Sequence, residues 1–230
     1  MLRFSMAAFA ASLVAATAFA APPPRTTLQD ADDVLSDLQS IPEKGIPPAL
    51  LADAHAVIVI PRVVKAGFVI GGRGGHGVAL VKASDGTWGE PTFVNLGGAS
   101  LGFQAGVQSS EVVLVLKSKK SLERLLDGKS KLTLGADASV AAGPVGRQLE
   151  AGTDAKLQAE IISYSRSRGL FAGVALNGAV IANDRETNYE YLQSYKQPAT
   201  AKALDQLKAH LTEMSSTKGV EPARIPPSKK

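Results

Sequence analysis

Residues 54–82 read AHAVIVIP-RVVKAGFVIGG-RGGHGVALVK, and this stretch decides the fold. Its first eight residues, Ala54–Pro61, form a short continuous apolar run rich in β-branched side chains, as expected for a strand covered on both faces. Glycine then dominates: all but Gly45 and Gly219 of the 22 glycines lie between Gly67 and Gly178. Gly67–Gly71 and Gly77–Lys82 read as two strands around a glycine turn, and Ser84-Asp85-Gly86 as a second turn leading into Trp88–Leu96. Ser100–Gln108 and Glu111–Lys117 continue the series. In Lys131–Val140, Leu132, Leu134, Ala136, Ala138 and Val140 alternate with polar residues, and Ile161–Arg168 and Gly169–Ile181 close the set. Glycines inside strands mark bulges, bends or close backbone approach. The fold class expected is α+β and strand-dominated: a strongly curved antiparallel sheet or half-barrel with flanking N- and C-terminal helices.

The helices are legible from period and caps. Thr27–Ser40 places Leu28, Ala31, Val34, Leu35 and Leu38 on one face. Pro47 or Pro48 can open a short helix through Ala54. Ser118 can cap Lys119–Asp127, with Gly128 as its stop. Asp184–Tyr195 and Ala199–Met214 are the expected C-terminal helices.

Arg3, an apolar run from Met6 to Phe19 and Ala18-Phe19-Ala20 make the pattern of a cleaved secretory signal over residues 1–20. The run is shorter than the roughly 20 apolar residues needed to span a bilayer. The expected organisation is a signal at 1–20, a single domain over 21–214 and a disordered, proline-rich tail at 215–230. Export implies a periplasmic or secreted protein, in solution or peripheral on a membrane. With no cysteine there is neither a lipidated thiol nor a disulfide scaffold. Loss of Arg3 takes the formal charge from +4 to +3, too small an excess to indicate nucleic acid, and 5% aromatic residues make a poor base-stacking surface.

Short motifs resolve into bland readings. Gly72-Arg73-Gly74-Gly75-His76-Gly77 fits a pyrophosphate loop in letters, but Val78–Val81 after it reads as strand rather than helix, so a hairpin turn is expected. Gly98-Ala99-Ser100-Leu101-Gly102 fits a nucleophile elbow, yet Phe103–Val107 is poor helix and the sole downstream histidine is His210. Asp53, His55, His76 and His210 show no metal-ligand spacing. No catalytic residue, metal or cofactor is assigned, and the chain is read as a binder rather than an enzyme.

Cations beside apolar segments are the more informative group. Arg62 and Lys65 bracket Val63-Val64, Arg73 sits among glycines, Lys117, Lys119 and Lys120 cluster at a strand-to-helix corner, and Arg166 and Arg168 alternate with serines. Such residues suit phosphate headgroups, the charge meeting phosphate while aliphatic neighbours meet acyl chains. Arg62, Lys65, Arg73, Arg166 and Arg168 are the expected phosphate contacts, with Phe68 and Phe171 as apolar contacts. The N-terminal helix carries Asp30, Asp32, Asp33 and Asp37, which anionic lipid repels, so packing on the sheet is its expected use.

Several long segments resemble the SYLF lipid-binding domain family: residues 56–68, 71–78, 88–94, 135–147 and, most specifically, Ser163-Tyr164-Ser165-Arg166-Ser167-Arg168-Gly169-Leu170-Phe171-Ala172-Gly173-Val174. The likeness covers roughly residues 30–195. It implies binding of membrane phospholipid, anionic or phosphoinositide-like, at the cell envelope. Some eukaryotic relatives also bind actin; for a chain delivered to a bacterial periplasm, export argues against actin as a partner. The alternative function is a structural or protein-interaction module of the envelope without lipid specificity.

Overall fold

In the computed structural model, β1 (Ala56–Lys82) and β2 (Trp88–Leu116) pair as one antiparallel ribbon, from Ala56 opposite Leu116 to Lys82 opposite Trp88. The structure describes residues 21–40, 45–127, 131–143, 158–167, 170–173 and 176–216, and the side chains at 68–70, 100–106 and 170–173 are not among them. The expected signal at 1–20 and the tail beyond residue 216 lie outside the described residues.

A strand as long as β1 would reach about 90 Å if straight, at roughly 3.3 Å per residue. It doubles back instead. The Lys82 N–H donates to the His55 carbonyl at 2.9 Å, so the two ends of β1 meet. A Cβ placed on Gly71, Gly75 or Gly77 would fall inside 3.0 Å of the carbonyl oxygens of Ala66, Arg62 and Val59 respectively. Partner numbers fall as glycine numbers rise, so the two limbs of β1 lie against each other antiparallel and the chain reverses over residues 67–71. This corrects the expected hairpin turn at Gly72–Gly77: those residues are strand, and Gly75 and Gly77 serve close approach instead of reversal. The turn at Ser84-Asp85-Gly86 is present, with Gly86 at φ +87° and Asp85 Oδ1 accepting from the Thr87 N–H at 2.9 Å.

β2 is the shared strand. Its start pairs with β7 (Val180–Asn183), which pairs in turn with β3 (Leu132–Thr133). Its end pairs with β5 (Ile161–Ser167), whose other neighbours are β6 (Leu170–Gly173) and β4 (Val140–Ala142). The result is a seven-stranded, strongly curled sheet, antiparallel except for the parallel β4–β5 pair. Lys131–Val140 is not the single strand expected. It turns at Gly135 (φ +86°), with Asp137 Oδ2 accepting from the Thr133 N–H, and leaves Ala136 exposed.

Both faces of the ribbon are covered where the apolar run predicted it, and Ala56–Ile60 are fully buried. Val57, Val59, Val113, Val115 and Tyr164 pack against α1 (Pro24–Gln39) and α5 (Pro198–Ser215) through Leu28, Leu35, Leu38, Leu207 and Leu211. Ile58, Ile60, Val112, Leu114 and Ile161 pack on the other face with Leu122 and Leu125 of α3 (Lys119–Leu126) and with Leu132 and Ile181. α2 (Pro48–Ala52) and α4 (Arg185–Ser194) complete the helices described. The cap expected at Ser118 is present, its Oγ accepting from the Ser121 N–H, and Asp184 caps α4, its Oδ1 accepting from the Thr187 N–H at 3.1 Å. No helix among the described residues is long and apolar enough to cross a membrane.

If close approach is the role of these glycines, Gly77→Val should lower stability by about 3 kcal/mol, because the carbonyl it meets is backbone and cannot step aside. Gly72→Ala, with nothing within 4 Å of its Cβ position, should be near neutral. Urea unfolding of the two variants checks this contrast; equal midpoints would refute the doubled-back ribbon.

Candidate functional site

Pro61 and Arg62 form a bulge opposite Glu111, since Ile60 pairs with Val112 and Val63 with Ser110. Proline has no N–H to give the ladder, which favours a bulge at this point. Arg62 is exposed, and α1 crosses this face with Asp30, Asp33 and Asp37 at i, i+3 and i+7, one stripe of the helix. Burial pushes the Asp30 carboxyl up, Arg62 pulls it down and Asp33 pushes it up again, so Arg62 already lies in the field of the helix. Packing on the sheet is thus the use of the acidic helix, as expected.

Arg166 stands beside Glu111 in the β2–β5 register. Its Nε and Nη2 donate to Glu111 Oε2 and Oε1, both at 2.5 Å, and Asp37 Oδ2 makes an ion pair with Nη2. The hydrogen bonds it donates to Glu111 raise the guanidinium's pKa above its ordinary value. Two carboxylates therefore occupy Arg166, which joins α1, β2 and β5. The expectation of Arg166 as a phosphate contact did not foresee these partners, because they come from distant segments.

Lys65 is exposed and pairs with Gln108; the next pair toward the bend, Ala66 with Val107, leaves Val107 74% exposed. Arg73 lies on the returning limb between Gly71 and Gly75, whose neighbours are Ala66 and Arg62. The backbone of Arg62, Lys65 and Arg73 is therefore gathered on the two limbs beside the bend. The Arg73 guanidinium lies over Gly98, and its Nη2 donates to the Asn177 carbonyl at 2.8 Å. Its Nε is buried with no hydrogen-bond partner among the described residues, and burial lowers its pKa. Phe68 is at the bend, but its side chain and that of Phe171 are not described, and Arg168 lies outside the described residues. Lys119 and Lys120 are exposed at the start of α3, on a separate corner.

Gly98–Gly102 runs through β2 as strand, without the strand-to-helix turn a nucleophile elbow needs. His210 Nδ1 is 2.6 Å from Asp32 Oδ1, tying α5 to α1. Among the described residues, no three His, Cys, Asp or Glu side chains are grouped for a metal ion. One feature that the sequence motifs did not flag is on α4 and its C-cap: Tyr189, Leu192 and Tyr195 are 65%, 66% and 41% exposed. Their i, i+3, i+6 spacing was the available signal.

A family model described as "Ysc84: Las17-binding protein actin regulator" matches residues 97–216. The chain is 35% identical over 189 residues to the rat "SH3 domain-containing YSC84-like protein 1", covering 77% of this chain and 55% of the relative. It is 33% identical to the human protein of that name over the same length and shares. Against "Protein YSC84" of Saccharomyces cerevisiae it is 38% identical over 151 residues, 65% of this chain and 32% of the relative. The chain thus spans about half the length of the mammalian relatives it matches. No solved structure matches it. The matching family is described as an actin regulator, which overturns the expectation that argued against actin.

Arg166→Gln leaves Glu111 and Asp37 facing each other without their cation. It should cost about 2 kcal/mol, less than a fully buried pair because all three side chains keep some water contact. Thermal unfolding checks it; an unchanged midpoint would mean the clamp contributes nothing.

Proposed function

The chain belongs to the Ysc84 family, and from that premise we propose that it is a non-enzymatic binder of anionic phospholipid surfaces at the cell envelope. One observation supports this most: β1 reverses over residues 67–71. The reversal places the sequence Phe68-Val69-Ile70 at the bend, with Arg62 and Lys65 on the limb entering it and Arg73 on the limb leaving it. Exposed Val107, paired with Ala66, adds apolar surface beside them. Cations flanking an apolar stretch of sequence at a bend match the layering of a membrane interface, phosphate outside and acyl chain within. The resemblance to lipid-binding relatives points the same way. Arg166 takes no part in phosphate contact in this reading; it holds the acidic helix down beside the site.

Each cation near an anionic surface contributes about 1 kcal/mol, so Arg62→Gln with Lys65→Gln should weaken binding by about 2 kcal/mol, roughly 30-fold. Sedimentation with phosphatidylcholine vesicles, with and without phosphatidylglycerol, measures this. Equal recovery on both vesicles, unchanged by the double substitution, would remove the reading.

A second reading is direct contact with actin filaments, favoured by the family description as an actin regulator and by the exposed Tyr189, Leu192 and Tyr195 face. Tyrosine is enriched at interface centres, and Lys196 lies 5.6 Å from the Tyr195 ring centroid. Tyr189→Ser with Leu192→Ser should then abolish co-sedimentation with actin filaments while leaving vesicle recovery intact. No co-sedimentation by the unaltered protein would exclude direct filament contact.

A further inference from the structure

Two half-buried guanidiniums of the sheet are held in contrasting ways. Arg166 gives its Nε–Nη2 edge to both oxygens of Glu111. Arg73 has the same edge only half engaged: Nη2 donates to the Asn177 carbonyl, while Nε is buried without an acceptor among the described residues. No described carboxylate acts on Arg73; burial is what lowers its pKa. A desolvated guanidinium with an unmet N–H and no counter-charge is unfavourable until an anionic oxygen reaches it.

The surroundings allow movement. Gly98 makes room for the guanidinium, since a Cβ there would stand 3.2 Å from Arg73 Nε and 3.2 Å from the Gly178 carbonyl. Over Gly178, whose carbonyl lies on the same side of Gly98 as the guanidinium, nothing lies within 4 Å of the Cβ position. Among the described residues a single neutral carbonyl accepts from this side chain, and a charged bidentate acceptor outcompetes a neutral one.

We propose that Arg73 is an oxyanion-binding arginine, parked over Gly98 by the Asn177 carbonyl and drawn out by a phosphate group that takes its Nε–Nη2 edge as a bidentate pair. The ligand chemistry is a phosphate, carried by a lipid headgroup or free in solution. The choice of phosphate over other oxyanions rests on the membrane reading of the bend; the half-engaged edge stands on its own geometry.

The test follows the Arg73 Nε–Hε resonance of the 15N-labelled protein, assigned by its loss in Arg73→Lys, during titration with inorganic phosphate. Saturable movement of that resonance is expected, with phosphate binding at least tenfold weaker in Arg73→Lys, which keeps the charge but lacks the fork. Recovery of Arg73→Lys on phosphatidylglycerol vesicles separates the sources: a fall assigns the headgroup, unchanged recovery with the resonance shift assigns free phosphate. A resonance that phosphate never moves, with Arg73→Lys recovered like the unaltered protein, overturns the inference while preference for anionic vesicles keeps the bend reading. Loss of that preference with a persistent phosphate shift overturns the bend reading alone.

Discussion

Backbone packed directly on backbone is the constraint that shapes this structure. Gly71, Gly75 and Gly77 let one limb of β1 lie against the other at a separation no side chain would tolerate. Because β2 pairs with β1 along its length, with register shifts at three points, it is folded too, and its two halves become separate docking edges: one for β7, the other for β5. The curl therefore comes from a doubled ribbon, and shorter strands fill in around it. It also produces a bend, and the bend is where the sequence concentrates apolar residues between cations.

Charge is distributed to suit that shape. An acidic helix beside a phosphate-seeking surface would be self-defeating if its carboxylates faced the ligand. Here Asp37 is bound to Arg166, Asp32 contacts His210 and Asp30 lies in the field of Arg62. α1 is thus fastened at several points above its apolar face, with Leu28, Leu35 and Leu38 fully buried. Three of its four carboxylates are engaged within the fold, and exposed Lys65 lies farther along the ribbon, toward the bend. Arg73, by contrast, is held inward by one carbonyl.

Much of this was legible because local rules were not overridden. The β-branched run at Ala56–Ile60 had to be buried on both faces, and it is. Ser118 announced its helix, and Ser84-Asp85-Gly86 its turn. The fold-back was not legible, since glycines at 71, 75 and 77 share a face whether they approach a backbone or merely sit in a loop. Gly135 and Asp137 broke an alternation that looked like one strand, because a tight turn leaves the period of two intact on either side of it. The partners of Arg166 were hidden for another reason: its serine-flanked context says nothing about Glu111 and Asp37, which only the folded topology brings near. Of the cations named from sequence, Arg62, Lys65 and Arg73 share the two limbs beside the bend and Arg166 ties α1, β2 and β5 together; contact with phosphate is the proposal made for the bend.

The chain contains no cysteine, so one environment-sensitive fluorophore can be placed at a chosen position without interference. Attached at Val107→Cys beside the bend, and in a separate sample at Tyr189→Cys on α4, it reports which end of the molecule enters an anionic bilayer. A membrane-facing bend predicts a blue-shifted, brightened signal at position 107 on phosphatidylglycerol vesicles and an unchanged signal at position 189. A response at 189 with none at 107 would contradict it.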